Sequence, residues 1–179
     1  MEEHIWRGFE WVSRVEGQVS GLSLPTRSTS YSAGYDFYCP ETVTIPSHLR
    51  EMSQLTALVL QTNVHIKPFV LKLGVKAYMQ PDEVLQVYLR SSTPDRYGLV
   101  MANSVGIIDC DYYNNIGNEG EIGLILYNLS NNPITISRGE RIGQGIFTKF
   151  LMTYDDIVMA YKRTGGYGST NNGIVDTER

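Results

Sequence analysis

A series of short apolar runs, cut at irregular intervals by turn-forming residues, constrains this chain most. The runs are Ala57-Leu58-Val59-Leu60, Pro68-Phe69-Val70-Leu71, Val84-Leu85-Gln86-Val87-Tyr88-Leu89, Ile122-Gly123-Leu124-Ile125-Leu126-Tyr127 and Ile134-Thr135-Ile136. Ser32-Ala33-Gly34, Gln80-Pro81-Asp82, Asn131-Asn132-Pro133 and Arg138-Gly139-Glu140 separate elements of this kind. Many short strands with such punctuation predict an all-β fold, an antiparallel barrel or jelly roll. At most one or two short helices are expected. One is Ser47–Leu55, with Ser47 as N-cap after Pro46. A weaker one is Asp155–Arg163.

The 179 residues, 42% of them hydrophobic, suffice for one domain with a real core. A formal net charge of −4 argues against bulk nucleic-acid binding, while leaving room for a small phosphorylated ligand. Cys39 and Cys110 make neither a metal-ligand set nor a disulfide framework, which points to a reducing cytoplasm. No apolar run approaches the ~20 residues that span a membrane. The acidic start, Glu2-Glu3, lacks the basic region of a signal peptide.

Five strings carry chemistry. In Ala33-Gly34-Tyr35-Asp36-Phe37, the Asp36 carboxylate suits an arginine partner or a metal-bound water; taken alone, a hairpin entry with a solvated acid explains it better. Tyr88-Leu89-Arg90-Ser91-Ser92 ends a strand in a cation and two hydroxyls, which fit phosphate oxygens or plain strand punctuation equally well. Residues Asn103 to Tyr113 read as a β-hairpin. There the Asn103 amide can read a base edge. Asp109 emerges after Ile107-Ile108 where a general base would orient a water, and Tyr112 offers a flat face to a sugar.

The fourth string, Arg138-Gly139-Glu140-Arg141-Ile142-Gly143-Gln144-Gly145, turns into a strand whose Gln144 can donate to a phosphate. Glu140 and Arg141 read as structural, pairing at a subunit interface. The fifth is Arg163-Thr164-Gly165-Gly166-Tyr167-Gly168-Ser169-Thr170. Glycines let backbone N–H groups nest around an anion, Arg163 supplies a donor fork, and Tyr167 can cover a base. Read so, it is a lid for a nucleoside polyphosphate; the other reading is a loose linker.

In this order the five strings closely resemble those of trimeric dUTPases: A-G-Y-D, R-S-[GS], an N…D-x-x-Y stretch, G-x-R-I-[AG]-Q and R-x-G-G-[FY]-G-[ST]. The match runs from about residue 22 to 170. The longer Asp111–Glu121 stretch looks like the variant of Gram-positive bacteria and their phages. The resemblance implies a dUTPase-like distorted β-barrel over residues 1–162. Residues 163–179 would then be a glycine-rich arm closing over an active site of a neighbouring subunit in a homotrimer. It also implies dUTP as substrate, Mg²⁺ chelated by its phosphates with no direct protein ligand, and dUMP and pyrophosphate as products.

Residue by residue, the resemblance makes Asp109 the activator of the attacking water. Asn103, with the backbone at Gly106 and Ile108, would read uracil. Tyr112 would stack on deoxyribose and Tyr167 would cover the base. Arg90, Ser91, Ser92, Gln144, Arg163, Gly168, Ser169 and Thr170 would hold phosphates, and Asp36 would support them indirectly. Nineteen positions separate Gln144 from Arg163, a reach of up to ~60 Å when extended.

The chain departs from the family's usual strings in places. Lys72-Leu73-Gly74 replaces a usual P-T-G, Ser92 replaces a frequent glycine, and residues around Ser47–Thr62 look like a small insertion. Two rival readings stand beside the dUTPase one. One is a dCTP deaminase, which shares the R-S-S string. The other is a nucleotide-gated regulator binding a protein repressor, for instance through the Tyr113–Gly120 loop. No nucleic-acid or membrane partner is expected.

Overall fold

The structure, a computed structural model, describes residues 6–56 and 66–156, apart from the side chains of 53–56. The run at 57–60 and the arm at 163–179 lie outside these residues, as does all of the second helix candidate beyond residue 156. The strands are β1 (Gly8–Trp11), β2 (Thr26–Arg27), β3 (Tyr35–Tyr38), β4 (Val43–Ile45), β5 (Phe69–Lys72) and β6 (Val75–Tyr78). They continue with β7 (Glu83–Leu89), β8 (Leu99–Met101), β9 (Gly106–Asp109), β10 (Gly123–Asn128), β11 (Ile134–Ile136) and β12 (Arg141–Lys149). All the ladders among them are antiparallel. The expected jelly-roll-like β fold with two short helices is what forms.

Five strands in the order β2-β3-β12-β7-β9 make the main sheet. Facing strands are β5-β10-β8, with the pairs β1-β6 and β4-β11 closing the edges. Alternation along each strand sorts side chains by face. On the inner face of the main sheet Phe37, Leu85 and Val87 are buried against Leu71, Leu124 and Leu126 from the other side. Phe9 meets the rings of Phe37 at 5.6 Å and Phe147 at 5.3 Å. Truncating a side chain such as Leu85 to Ala costs about 2–5 kcal/mol in a core of this kind.

Helix α1 (His48–Thr56) starts where Pro46 and Ser47 predict. Ser47 Oγ accepts the Arg50 N–H at 3.0 Å and donates to the Ser130 carbonyl at 2.5 Å. A second helix, α2 (Thr93–Tyr97), was not expected from the sequence. Its signals were present all the same: Pro94 in the first turn and Gly98 beyond the last, in the left-handed conformation at φ 64°.

One expectation changes. The stretch from Asn103 to Tyr112 is a crossover between sheets rather than a paired hairpin. Strand β8 pairs with β10, and β9 pairs with β7. Each short strand gains a longer partner this way, while Leu99 and Ile108 reach the core from different layers. A tight turn makes the switch: Val105 N donates to Asn103 O at 2.6 Å, and Ser104 adopts φ 61°.

Candidate functional site

Every sequence-predicted polar residue on the main sheet falls on its outer face. Gln144 on β12 lies opposite Asp36 on β3 and Tyr88 on β7. Asp109 on β9 lies opposite Val84 on β7, in register with Thr148 on β12. Directly opposed residues share a face, so both groups look the same way from opposite corners.

The first corner is a charge network. Asp36 is 7% exposed. Its Oδ2 accepts from Ser28 Oγ at 2.5 Å and from Arg141 Nη1 at 3.0 Å, and its Oδ1 lies 3.4 Å from Arg90 Nε. This acid therefore aims two guanidinium groups. Arg90 follows the last residue of β7, with its backbone N–H on Ile142 O and its carbonyl on Thr93 N. Ser91 and Ser92 stand exposed in the turn before α2. Gln144 lies across Gly34, where a Cβ would sit 2.3 Å from Gln144 Oε1. The glycine of the first string thus makes room for the amide of the fourth. Arg141 and Glu140, read as interface residues, find partners within the chain. Arg141 pairs with Asp36, and Glu140 with Tyr97 and Arg96.

The second corner is built from hydrogen bonds. Asp109 ends β9 in extended conformation, φ −78° and ψ 157°, before a 3-10 turn at Cys110–Tyr112. Burial pushes the Cys110 thiol up, reinforced by the charges of Asp111 and Asp109, which keeps it protonated beside the acid. Tyr112 is 5% exposed; its hydroxyl donates to Glu121 O at 3.2 Å and accepts from Asn118 Nδ2 at 2.6 Å.

Strand β9 is the sheet's edge, so alternate backbone groups of Gly106–Asp109 point away from β7. Asn103 is exposed at the turn before it. Ile108 packs its side chain against the core and has only backbone to offer a ligand. Gly106 seats β9 against Val87, where a Cβ would approach at 3.2 Å. Arg163, Tyr167, Gly168, Ser169 and Thr170 lie outside the described residues.

Residues to which the sequence reading gave no role hold the second corner. Glu121 has a side chain 4% exposed and accepts from Arg14 Nε at 2.8 Å and from Gly74 N at 3.0 Å. That last bond anchors the backbone where Lys72-Leu73-Gly74 departs from the family's usual P-T-G. Arg14 and Glu121 are far apart in the chain, and no local pattern announces their pairing. Among the described residues no group of three or more His, Cys, Asp and Glu side chains is placed to hold a metal. No helix among them is long and apolar enough to cross a membrane.

The model of the dUTPase family matches residues 21–171. The deoxyuridine 5'-triphosphate nucleotidohydrolase of Lactococcus lactis is 41% identical over 166 residues, covering 92% of this chain and 97% of that protein. The crystal structure of dUTPase from Streptococcus mutans superposes with a TM-score of 0.64 at 36% identity, over 82% of this chain and 98% of that one. A Staphylococcus bacteriophage 80alpha dUTPase, solved with dUpNHpp, shares the fold at TM-score 0.59 and 17% identity, over 89% and 99% of the two chains. With these likenesses spanning both corners of the sheet, the chain belongs to the dUTPase family, in the form found in Gram-positive bacteria.

Proposed function

We propose that this dUTPase hydrolyses dUTP to dUMP and pyrophosphate by a water that Asp109 orients and deprotonates. The water oxygen forms a bond to the α-phosphorus, the bond to the α–β bridging oxygen breaks, and pyrophosphate leaves with those electrons. The water's proton goes to the Asp109 carboxylate. Arg90, Ser91 and Gln144 hold phosphate oxygens, with Ser92 beside them, and Asp36 keeps Arg90 aimed. Uracil is read by Asn103 and the outward-facing backbone of β9 at Gly106 and Ile108, and Tyr112 lies under the deoxyribose.

The single observation carrying this reading is the separation of the two corners. Arg90 and Asp109 sit six ladder positions apart along β7, because Asp109 opposes Val84. That is roughly 20 Å at strand rise, too far for one chain to hold the phosphates and activate the water at one phosphorus. Two copies that place the Arg90 corner of one against the Asp109 corner of the other complete a site. This supports a homotrimer with shared sites, closed by the arm at residues 163–179 and its Arg163, Tyr167, Gly168, Ser169 and Thr170.

The donor set fits a Mg²⁺ carried by the substrate. In the Arg90 corner the Asp36 carboxylate already has its oxygens on Ser28, Arg141 and Arg90, so the triphosphate and waters would supply the ligands. Bound there, the ion would neutralise phosphate charge. A phage phi11 dUTPase of the same fold, 16% identical, was solved with a structural Mg(II) ion.

Incubation with Mg²⁺ and, separately, dUTP, dCTP, dTTP and UTP tests the reading through pyrophosphate release and product base. Pyrophosphate and dUMP from dUTP alone is the expected result. Deamination of dCTP, or binding of dUTP without turnover, contradicts it.

A further inference from the structure

The contacts around Tyr112 exceed what burying one tyrosine requires. Asn118 Oδ1 accepts the Gly120 N–H at 3.1 Å, which fixes the amide and leaves its nitrogen facing the Tyr112 hydroxyl. That hydroxyl is then held from both sides, accepting from Asn118 and donating to Glu121 O. The Tyr112 carbonyl takes the Asn115 N–H at 3.1 Å. Gly120, at φ 77°, packs so closely that a Cβ would lie 2.2 Å from the Tyr112 carbonyl oxygen. The loop carrying Asn118 is itself tied to the barrel. Glu119 accepts from Ser13 N at 3.2 Å, Asn114 accepts from Lys76 at 2.6 Å, and Tyr113 donates to Glu10 at 2.7 Å.

We propose that Asn118 is a positioning residue for sugar selection: by pinning the Tyr112 hydroxyl it stiffens the ring against which deoxyribose packs. This rests on Tyr112 being the surface beneath the sugar. A ring rejects a 2′-hydroxyl by steric exclusion only if it does not give way by a few tenths of an ångström, and such stiffness comes from supporting hydrogen bonds. The strut from β1 and β6 through the 113–120 loop supplies it. The substrate class discriminated is ribonucleoside against deoxyribonucleoside triphosphate.

The test is the ratio of kcat/KM for dUTP to kcat/KM for UTP in Asn118→Ala. Loss of one positioning hydrogen bond lowers that ratio about three- to tenfold, through improved use of UTP, with kcat on dUTP changed less than the ratio. A loop serving only stability would slow both substrates alike and leave the ratio unmoved, which overturns the proposal. In a Tyr112→Phe background, which lacks the hydroxyl, Asn118→Ala should lower the ratio no further; a full additional loss also overturns it. Should Asn118→Ala not fold, Asn118→Leu, close to the amide in shape and without a polar atom to meet the Tyr112 hydroxyl, must show the same fall. Tyr112→Ala separates the two claims. An unchanged ratio there removes Tyr112 as the sugar surface, and the proposal with it. A relaxed ratio there with unaltered Asn118 variants removes Asn118 alone.

Discussion

At the Arg90 end of β7 side chains are aimed by charge: one buried acid, Asp36, holds two guanidinium groups. At the Asp109 end they are aimed by a loop: Asn118 and Glu121 clamp the Tyr112 hydroxyl, and Glu119 and Glu121 tie the loop to Ser13 and Arg14. On the proposed reading, the difference follows from what each corner must grip. A polyanion needs cations fixed in direction yet open to solvent, and a carboxylate behind them does this with few atoms. A flat sugar needs a surface that does not yield, and the Tyr112 hydroxyl is held by two neutral groups, the Asn118 amide and the Glu121 carbonyl.

Removing the acting group from the loop-built corner should have the largest effect. Asp109→Asn is expected to lower kcat by about 10³-fold, within the range for a lost general base, while nucleotide binding persists by calorimetry. Loss of binding instead would make Asp109 a substrate contact. In the charge-built corner Arg90→Ala should lower kcat/KM by about 10²-fold, mostly through KM, because it removes a phosphate donor and leaves Asp36 with Arg141. An effect confined to stability would make the network purely structural.

A smaller effect tests the clamp itself. Glu121→Ala strips the partner from the Gly74 N–H and leaves Arg14 to Glu41, 3.4 Å from its Nη1, and should cost about 1–3 kcal/mol in denaturant unfolding. A neutral result would show the loop to be held elsewhere.

The smallest effect concerns pH. The hydrogen bond from Arg7, whose Nε lies 3.0 Å from both Glu83 oxygens, holds the Glu83 carboxyl below its ordinary value of 4.5. Glu83 therefore binds its proton more weakly folded than unfolded. Its contribution to stability is full above about 4.5 and fades as pH falls through the folded value. The Tm advantage of the parent over Glu83→Gln should accordingly shrink below that pH; a constant difference would remove the ion pair from the acid response.

The sequence made the strands legible wherever an apolar run was long enough to alternate, as at Val84–Leu89 and Ile134–Ile136. It made α1 legible through Ser47. It did not reveal that β8 and β9 pair in different sheets, because strand partners are chosen by packing across the barrel and not by neighbours in the chain. The candidate site divides the same way. Asp36, Arg90, Asp109 and Gln144 stood in short strings that the chemistry itself demands. Ser28, Arg14 and Glu121 act through partners 8 to 107 positions away, a distance no local string encodes. Arg141 and Asp36 were visible in the fourth and first strings, yet their pairing with each other was not.

The separation of the corners is tested most directly by mixing two impaired chains and assaying them at dUTP far below KM. Arg90→Ala and Asp109→Asn, carried on different tags and co-expressed, yield mixed oligomers that can be isolated by both tags. If each site joins the Arg90 corner of one copy to the Asp109 corner of another, some sites regain both groups. In trimers carrying both tags, one site in three then has both groups, which restores about a third of parent dUTP turnover under closed rotational symmetry. Mixed oligomers that stay as impaired as either parent variant would mean that each chain carries its own complete site, and the shared-site reading would be wrong.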